Sequence, residues 1–219
     1  MSVSPFIPAQ ARLAGLLYLV IIVAGVWGEG LARGGMATAT AVREGAGLYR
    51  LAMGADMLMA LCDAGVAVLL YLALRPLAPA AALGAMVFRL IQTAVIAANM
   101  IVTAAALMLA GADMPGVEVA LDLRALGYDI GLAFFGICNL LMAAIFLREN
   151  ALPNPLGGAL GLSGLIYLAG GAVHLLAPAA LASVQPAYLV PLVAETAFAL
   201  WLLLRGARSI AAAIATAPH

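Results

Sequence analysis

The sequence predicts an all-α, polytopic membrane protein that forms a bundle of about six transmembrane helices. The first reason is composition, because 66% of the 219 residues are hydrophobic, only 9% are charged and the mean hydropathy is +1.14. In a soluble domain about a quarter of the residues are charged, so here lipid must cover most of the surface. The second reason is the length of the apolar runs, since a helix needs about 20 apolar residues to cross the core of a bilayer.

Six apolar runs of this length follow one another along the chain. They lie at about residues 13–31, 51–74, 81–109, 126–147, 156–177 and 188–204. Prolines fall in the breaks, for example Pro76 after the second run and Pro153 after the fourth, because proline ends a helix. We therefore expect a single transmembrane domain over residues 1–208, followed by a short tail at residues 209–219.

The arginines near the ends of the spans predict the orientation of the chain. Six spans place both termini on one side of the membrane, and five arginines lie near span ends on that side against four on the other. Cytoplasmic loops carry the excess of basic residues, so we expect both termini in the cytoplasm. Arg12 before the first run is also typical of a signal peptide. Glu29 and Arg33 end this run as they would end a span, so we expect it to be retained.

The second and fourth spans resemble each other, which indicates a weak repeat of a helical hairpin. Each contains a cysteine followed by an acid or an amide, at Cys62-Asp63 and at Cys138-Asn139, and each ends at an arginine. Repeats of this kind occur in several membrane folds. Both cysteines lie deep inside apolar runs, so we expect buried free thiols and not a disulfide.

Charged residues inside the spans need a partner or a function, because a charge in hydrocarbon costs at least a few kcal/mol. Asp63 lies twelve residues before Arg75 at the end of its helix, which is about 18 Å at 1.5 Å per residue. Arg89 lies about 12 Å into the returning helix, and its long side chain can cover the difference. We therefore predict a buried ion pair between Asp63 and Arg89, either as a structural lock or as a gate for an anion or a proton.

A second group of ionisable residues lies toward the opposite ends of the spans, and we predict that it lines a polar pocket. Its candidate members are Glu29, Arg50, Asp56, Asp129, His174 and Glu195. Neighbouring carboxylates cannot all remain charged, so such a pocket suits proton coupling, a cation or a polar head group. The alternative is that each residue is solvated at the membrane interface or bonded to a nearby tyrosine.

Several classes of function are disfavoured by the sequence. His174 and His219 are the only histidines and no close ligand spacing surrounds them, so we predict no metal site. The chain has no nucleophile elbow and, without a single lysine, no phosphate-binding loop, so we assign no catalytic residue. Ten arginines balance ten acids, which gives no basic surface for nucleic acid.

Several strings of the sequence resemble a known bacterial family. They include Tyr-Arg-Leu-Ala-Met-Gly-Ala-Asp at 49–56, Phe-Arg-Leu-Ile-Gln-Thr-Ala at 88–94, Gly-Tyr-Asp-Ile-Gly-Leu-Ala-Phe-Phe-Gly at 127–136 and Glu-Thr-Ala-Phe-Ala-Leu-Trp-Leu-Leu at 195–203. The family is that of the multi-pass membrane proteins known only as a domain of unknown function, DUF4386, and the resemblance covers about residues 11–206. It implies a multi-pass protein of the bacterial inner (plasma) membrane, and it implies no activity.

Three functions fit these residues. The first is binding or transport of a small polar solute, ion or lipid head group in a pocket between helices near the extracytoplasmic face. The second is a structural or regulatory role in which the buried charges lock helices together. The third is an intramembrane enzyme acting on a lipid or isoprenoid, with Asp56, Asp129 and Glu195 as acid and base groups. The expected partners are the lipid bilayer and a small polar ligand or lipid, whereas the cofactor and any homo-oligomer stay open.

Overall fold

The computed structural model of the protein describes residues 8–216, and these residues form helices joined by short connections, with no strand among them. Residues 1–7 and 217–219, the two ends of the predicted domain and tail, lie outside the described residues. Six helical stretches within the described part are long and apolar enough to cross a membrane. The predicted fold class, an all-α membrane protein with about six spans, is therefore confirmed.

The α-helices of the described residues are numbered α1 to α9 in chain order. They are α1 Pro8–Gly25, α2 Ala39–Glu44, α3 Ala46–Leu74, α4 Pro79–Gly111, α5 Val117–Arg148, α6 Asn154–Leu176, α7 Leu181–Val184, α8 Leu189–Trp201 and α9 Ala207–Thr216. Two π-helical segments continue the first and last spans, since Val26–Ala32 follows α1 and Leu202–Gly206 joins α8 to α9. Turns of 3-10 helix at Pro178–Ala180 and Gln185–Tyr188 flank α7, so the connection between α6 and α8 is itself helical.

Several helices extend beyond the apolar runs that the sequence shows, and α5 and α9 do so furthest. Helix α5 begins at Val117 rather than near residue 126, and its first turn carries Glu118, an acid that the positive end of the helix dipole stabilises. Hydropathy alone underestimates this helix because its first turns carry charges. Beyond Arg208, where the sequence predicts a short tail, α9 continues to Thr216 and buries Ile210 in the core.

The six spans form a closed ring in chain order. Each long helix packs against the next, and α8 with its π-helical continuation returns to pack against α1. We call the face that carries both ends of the described chain, the α3–α4 turn and the α5–α6 connection the near face, and the opposite face the far face. Aromatic side chains fill the near-face half of the ring, where the centroid of the Phe198 ring lies 5.8 Å from that of Tyr18 and 5.5 Å from that of Phe146. The far-face half encloses a cavity.

Two glycines let α5 and α6 approach closely. A Cβ atom on Gly136 would lie 2.6 Å from the carbonyl oxygen of Gly164, and a Cβ on Gly164 would lie 2.6 Å from the carbonyl oxygen of Gly136. Small residues at such contacts allow helix backbones to pack against each other in membranes. The pair therefore fixes the distance between two of the helices that enclose the cavity.

We expect Gly136→Ala to lower the free energy of unfolding of the purified protein in detergent by about 1–3 kcal/mol, because the added methyl group collides with the backbone of Gly164. The loss should appear as a lower melting temperature. Gly158→Ala in α6 is the matched control, since a Cβ there meets no atom within 4 Å and alanine favours a helix by about 1 kcal/mol over glycine. Equal melting temperatures for the two variants would contradict this role for Gly136.

Candidate functional site

A cavity of about 430 Å³ lies inside the ring, and all six spans contribute to its wall. This volume is in the range of small-molecule sites, roughly 300–1,000 Å³. The wall is mostly apolar and aromatic, with Tyr128, Phe135, Tyr167 and Tyr188 among its residues. At the far face, the exposed side chain of Gln185 lies at the mouth of the cavity.

Four carboxylates line this cavity, whereas no arginine or histidine of the described residues does. They come from four parts of the fold. Glu29 lies on the π-helical segment after α1, Asp63 on α3, Asp129 on α5 and Glu195 on α8. The cavity thus extends from the far face to the middle of the bundle, deeper than the pocket that the sequence predicts.

Glu195 is the carboxylate of the cavity that has only neutral hydrogen-bond partners in the described structure. It is 6% exposed, and its Oε1 accepts a hydrogen bond of 3.1 Å from Nδ2 of Asn139, which is fully buried. The hydroxyl of Tyr167 lies next to the same carboxylate. Among residues 8–216, no cationic group forms a salt bridge with Glu195.

Asp63 lies on the cavity wall and forms an ion pair with Arg89. Nε of Arg89 lies 2.8 Å from Oδ1 of Asp63 and its Nη2 lies 2.6 Å from the same oxygen, with 1% and 3% of the two side chains exposed. The guanidinium carbon lies 4.6 Å from the centroid of the Tyr18 ring and 4.8 Å from that of Phe135, so the cation is held between two aromatic faces. The structure therefore places these two residues in the contact that the sequence predicts.

A charge network of four residues closes the far-face side of the cavity. Arg33 donates two hydrogen bonds of 2.8 Å to the two oxygens of Asp56 and one of 2.7 Å to Glu29. Arg124 donates to both oxygens of Glu29, at 2.8 and 3.0 Å. Burial lowers the pKa of Arg33, but the hydrogen bonds to Asp56 and the charge of Glu29 outweigh it, so its pKa lies above the ordinary value. Two cations thus balance two anions.

A second contact ties the connection between α6 and α8 to the cavity. Nδ1 of His174 lies 2.6 Å from Oδ2 of Asp129, and the hydroxyl of Tyr188 donates to Oδ1 of Asp129 at 3.3 Å. Gly170 makes this possible, because a Cβ there would collide with the hydroxyl of Tyr188. Asp129 therefore fixes the segment that lies beside the mouth.

The structure brings some of the predicted pocket residues together and separates others. Glu29, Asp129 and Glu195 line the cavity, whereas Asp56 and His174 lie behind its wall and reach it through Arg33 and Asp129. Arg50 is not among the residues that line the cavity. It lies in the first turns of α3 with its side chain exposed, and its Nη1 donates a hydrogen bond of 3.4 Å to the carbonyl oxygen of Ala46. The reason is rotation of the helix, which turns this position outward.

Several residues of the site are not among those predicted for the pocket, and they include Arg33, Gln92, Arg124 and Tyr188. The spacing of four residues between Glu29 and Arg33 is a sequence signal for their contact, because such residues share a helix face. Gln92 lines the cavity, is 5% exposed, and its Oε1 accepts no hydrogen bond from a described residue. A buried acceptor of this kind is available to a ligand.

Among residues 8–216, no three His, Cys, Asp or Glu side chains lie close enough together to hold a metal ion. No curated protein and no solved structure matches the chain. The family model described as Domain of unknown function (DUF4386) matches residues 13–206, which is most of the chain. All four carboxylates of the cavity and the Asp63–Arg89 pair fall within the matched residues. The chain therefore belongs to the DUF4386 family of multi-pass membrane proteins.

Proposed function

We propose that this protein binds a small organic cation in the cavity and carries it across the membrane. The observation that carries the proposal is the imbalance of charge on the wall, where, within residues 8–216, four carboxylates and no cationic side chain face the same space. The following points, taken from the described residues, support this assignment.

The charges around the cavity do not cancel. Arg89 neutralises Asp63, and the far-face network is balanced within itself. Asp129 has His174, which is a cation only when it is protonated, and Glu195 has neutral partners alone. Arg89 lies near enough to attract Glu195 as well as Asp63, but one cation cannot balance two carboxylates. Because an unbalanced charge inside a membrane protein costs several kcal/mol, a proton or a cationic ligand beside Glu195 would be stabilised.

The aromatic wall favours an organic cation over a small inorganic one. Ring faces attract cations electrostatically, and the attraction is strongest for cations that give up their hydration easily, such as alkylated ammonium groups. Tyr128, Phe135, Tyr167 and Tyr188 supply four rings around the same volume as the carboxylates. Apolar side chains such as Leu132 and Leu192 complete the wall and match the alkyl part of such a ligand.

Transport is supported by the backbone of the first span. Segments of π-helix are frequent at functional sites, and transporters commonly break their helices near the substrate. Here the α-helical pattern changes at Val26, and the π-helical segment Val26–Ala32 carries Glu29 to the cavity wall. This segment packs against α3, so a change in its winding would move a carboxylate of the site.

A structural role for the buried charges is the second candidate. The Asp63–Arg89 pair and the network around Arg33 favour it, because each joins separate helices through fully or nearly buried charges. This role does not account for Glu195, which joins α8 to α5 through a neutral amide and leaves a carboxylate without a cation.

The proposal is tested by binding to the full-length protein in detergent. Tetramethylammonium chloride is expected to raise the melting temperature in a saturable manner and to give a heat of binding in calorimetry, since a ligand that binds only the folded state stabilises it. Sodium chloride at equal ionic strength controls for charge, and tert-butanol controls for the apolar body. Equal shifts of the melting temperature with all three additives, or no shift with any of them, would refute the proposal. The structural role of the buried charges would then be the better supported function.

A further inference from the structure

A groove on the near face is separate from the cavity and lies at the other end of the ring. It has a volume of about 430 Å³ and lies between the start of α1 and the end of the last span. Three arginines line it, Arg12 from α1, Arg205 from the π-helical segment and Arg208 from α9, together with apolar residues that include Leu202, Leu203 and Leu204.

Close packing between the first and last spans brings these arginines together. A Cβ on Gly15 would lie 2.7 Å from the carbonyl oxygen of Ala199 and 2.9 Å from the backbone nitrogen of Leu203, so the two backbones are in contact here. Arg12 lies one turn before Gly15, and Arg205 lies just beyond Leu203. The glycine therefore places guanidinium groups from opposite ends of the chain beside one groove.

The groove has an excess of positive charge. All three arginines are exposed, no acid lines the groove, and within the described residues none of the three forms a salt bridge. Arg75 and Arg148 add to the charge of the near face, where Glu149 is the acid of the adjoining connection. Like charges held close together repel each other, so a bound anion would stabilise this arrangement.

The position and the walls of the groove match a phospholipid. It lies where the apolar spans end, which is the depth of lipid phosphates, and its leucines offer apolar surface next to the arginines. Guanidinium groups form bidentate hydrogen bonds with phosphate oxygens, and basic pockets beside membrane helices bind anionic head groups. We propose that this groove binds the head group of an anionic phospholipid. The site is independent of the cation proposed for the cavity.

The test uses the full-length protein in detergent, with lipid binding followed by native mass spectrometry. Phosphatidylglycerol is expected to bind more tightly than phosphatidylcholine. The double variant Arg205→Gln/Arg208→Gln should weaken phosphatidylglycerol binding about 30-fold, because each arginine near a membrane surface contributes about fivefold. The matched control Arg75→Gln/Arg148→Gln removes the same charge from the same face but outside the groove, and it should bind like the unchanged protein.

Three results would overturn the proposal. Equal binding of phosphatidylglycerol and phosphatidylcholine would show that the groove does not distinguish an anionic head group from a zwitterionic one. Equal weakening in the two double variants would show attraction to the whole face and no specific groove. Displacement of the lipid by millimolar inorganic phosphate, with phosphate alone stabilising the protein, would assign the groove to a soluble anion. Arg12→Gln, which changes a different helix, should weaken binding about fivefold and provides the answer if the double variant does not fold.

Discussion

Glu195→Gln is expected to weaken the binding of tetramethylammonium to the full-length protein by about 30-fold or more. Removing one partner of a buried charge pair costs about 2 kcal/mol or more, and the other three carboxylates of the wall already have partners that carry or can carry positive charge. Glutamine has the same shape and still offers an oxygen to Nδ2 of Asn139. The variant should therefore lose affinity without losing stability, and its melting temperature without ligand should equal or exceed that of the unchanged protein.

Glu44→Gln is the matched control for this measurement. Glu44 ends α2 at the far face, is exposed and does not line the cavity, so its change should leave the affinity as it was. Calorimetry with tetramethylammonium separates the two variants. Unchanged affinity in Glu195→Gln would remove Glu195 from the site and with it the main support for a cation-binding function.

Breaking the buried Asp63–Arg89 pair should lower the free energy of unfolding more than breaking any of the exposed ion pairs. In Asp63→Asn the guanidinium of Arg89, of which 1% is exposed, remains buried without an anion, and such a change costs about 3–5 kcal/mol. Arg89→Gln likewise leaves the Asp63 carboxylate buried without its cation. The double variant Asp63→Asn/Arg89→Gln removes both charges and should recover most of the melting temperature, because a neutral pair needs no compensation.

The exposed pair Arg43–Asp113 is the control for this cycle. Its side chains are 47% and 85% exposed, although its closest atoms are only 2.6 Å apart. Water screens such a pair, so Asp113→Asn should cost less than about 1 kcal/mol. A double variant of the buried pair that is no more stable than its single variants would show that the two residues act separately.

The six spans could be predicted from the sequence because each is an apolar run long enough to cross a bilayer, and lipid imposes that length on every helix. The contact between Asp63 and Arg89 could also be predicted from the sequence. Helices α3 and α4 are joined by a turn of only a few residues, so they must be antiparallel neighbours, and the rise per residue then fixes the depth of each side chain.

The far-face network could not be derived in this way. Glu29 and Arg124 are 95 residues apart, and their contact depends on the closure of the ring, which no local pattern encodes. Arg124 falls outside the apolar run that predicts the fourth span, although it lies within α5. Arg50, whose side chain is exposed, is the complementary case, since depth along a helix can be counted from the sequence but rotation about the helix axis cannot.

The closed ring has a consequence for how the protein is made. Neighbours in the ring are neighbours in the chain, so most contacts can form while successive spans enter the membrane during synthesis. The seam between α1 and α8 is the exception, because it must wait for the last span. Asp63 and Arg89 belong to spans that insert early, whereas Glu195 arrives with the last one. A nascent chain therefore acquires its internal ion pair well before it encloses a cavity, and the wall of that cavity is completed only when synthesis is nearly finished.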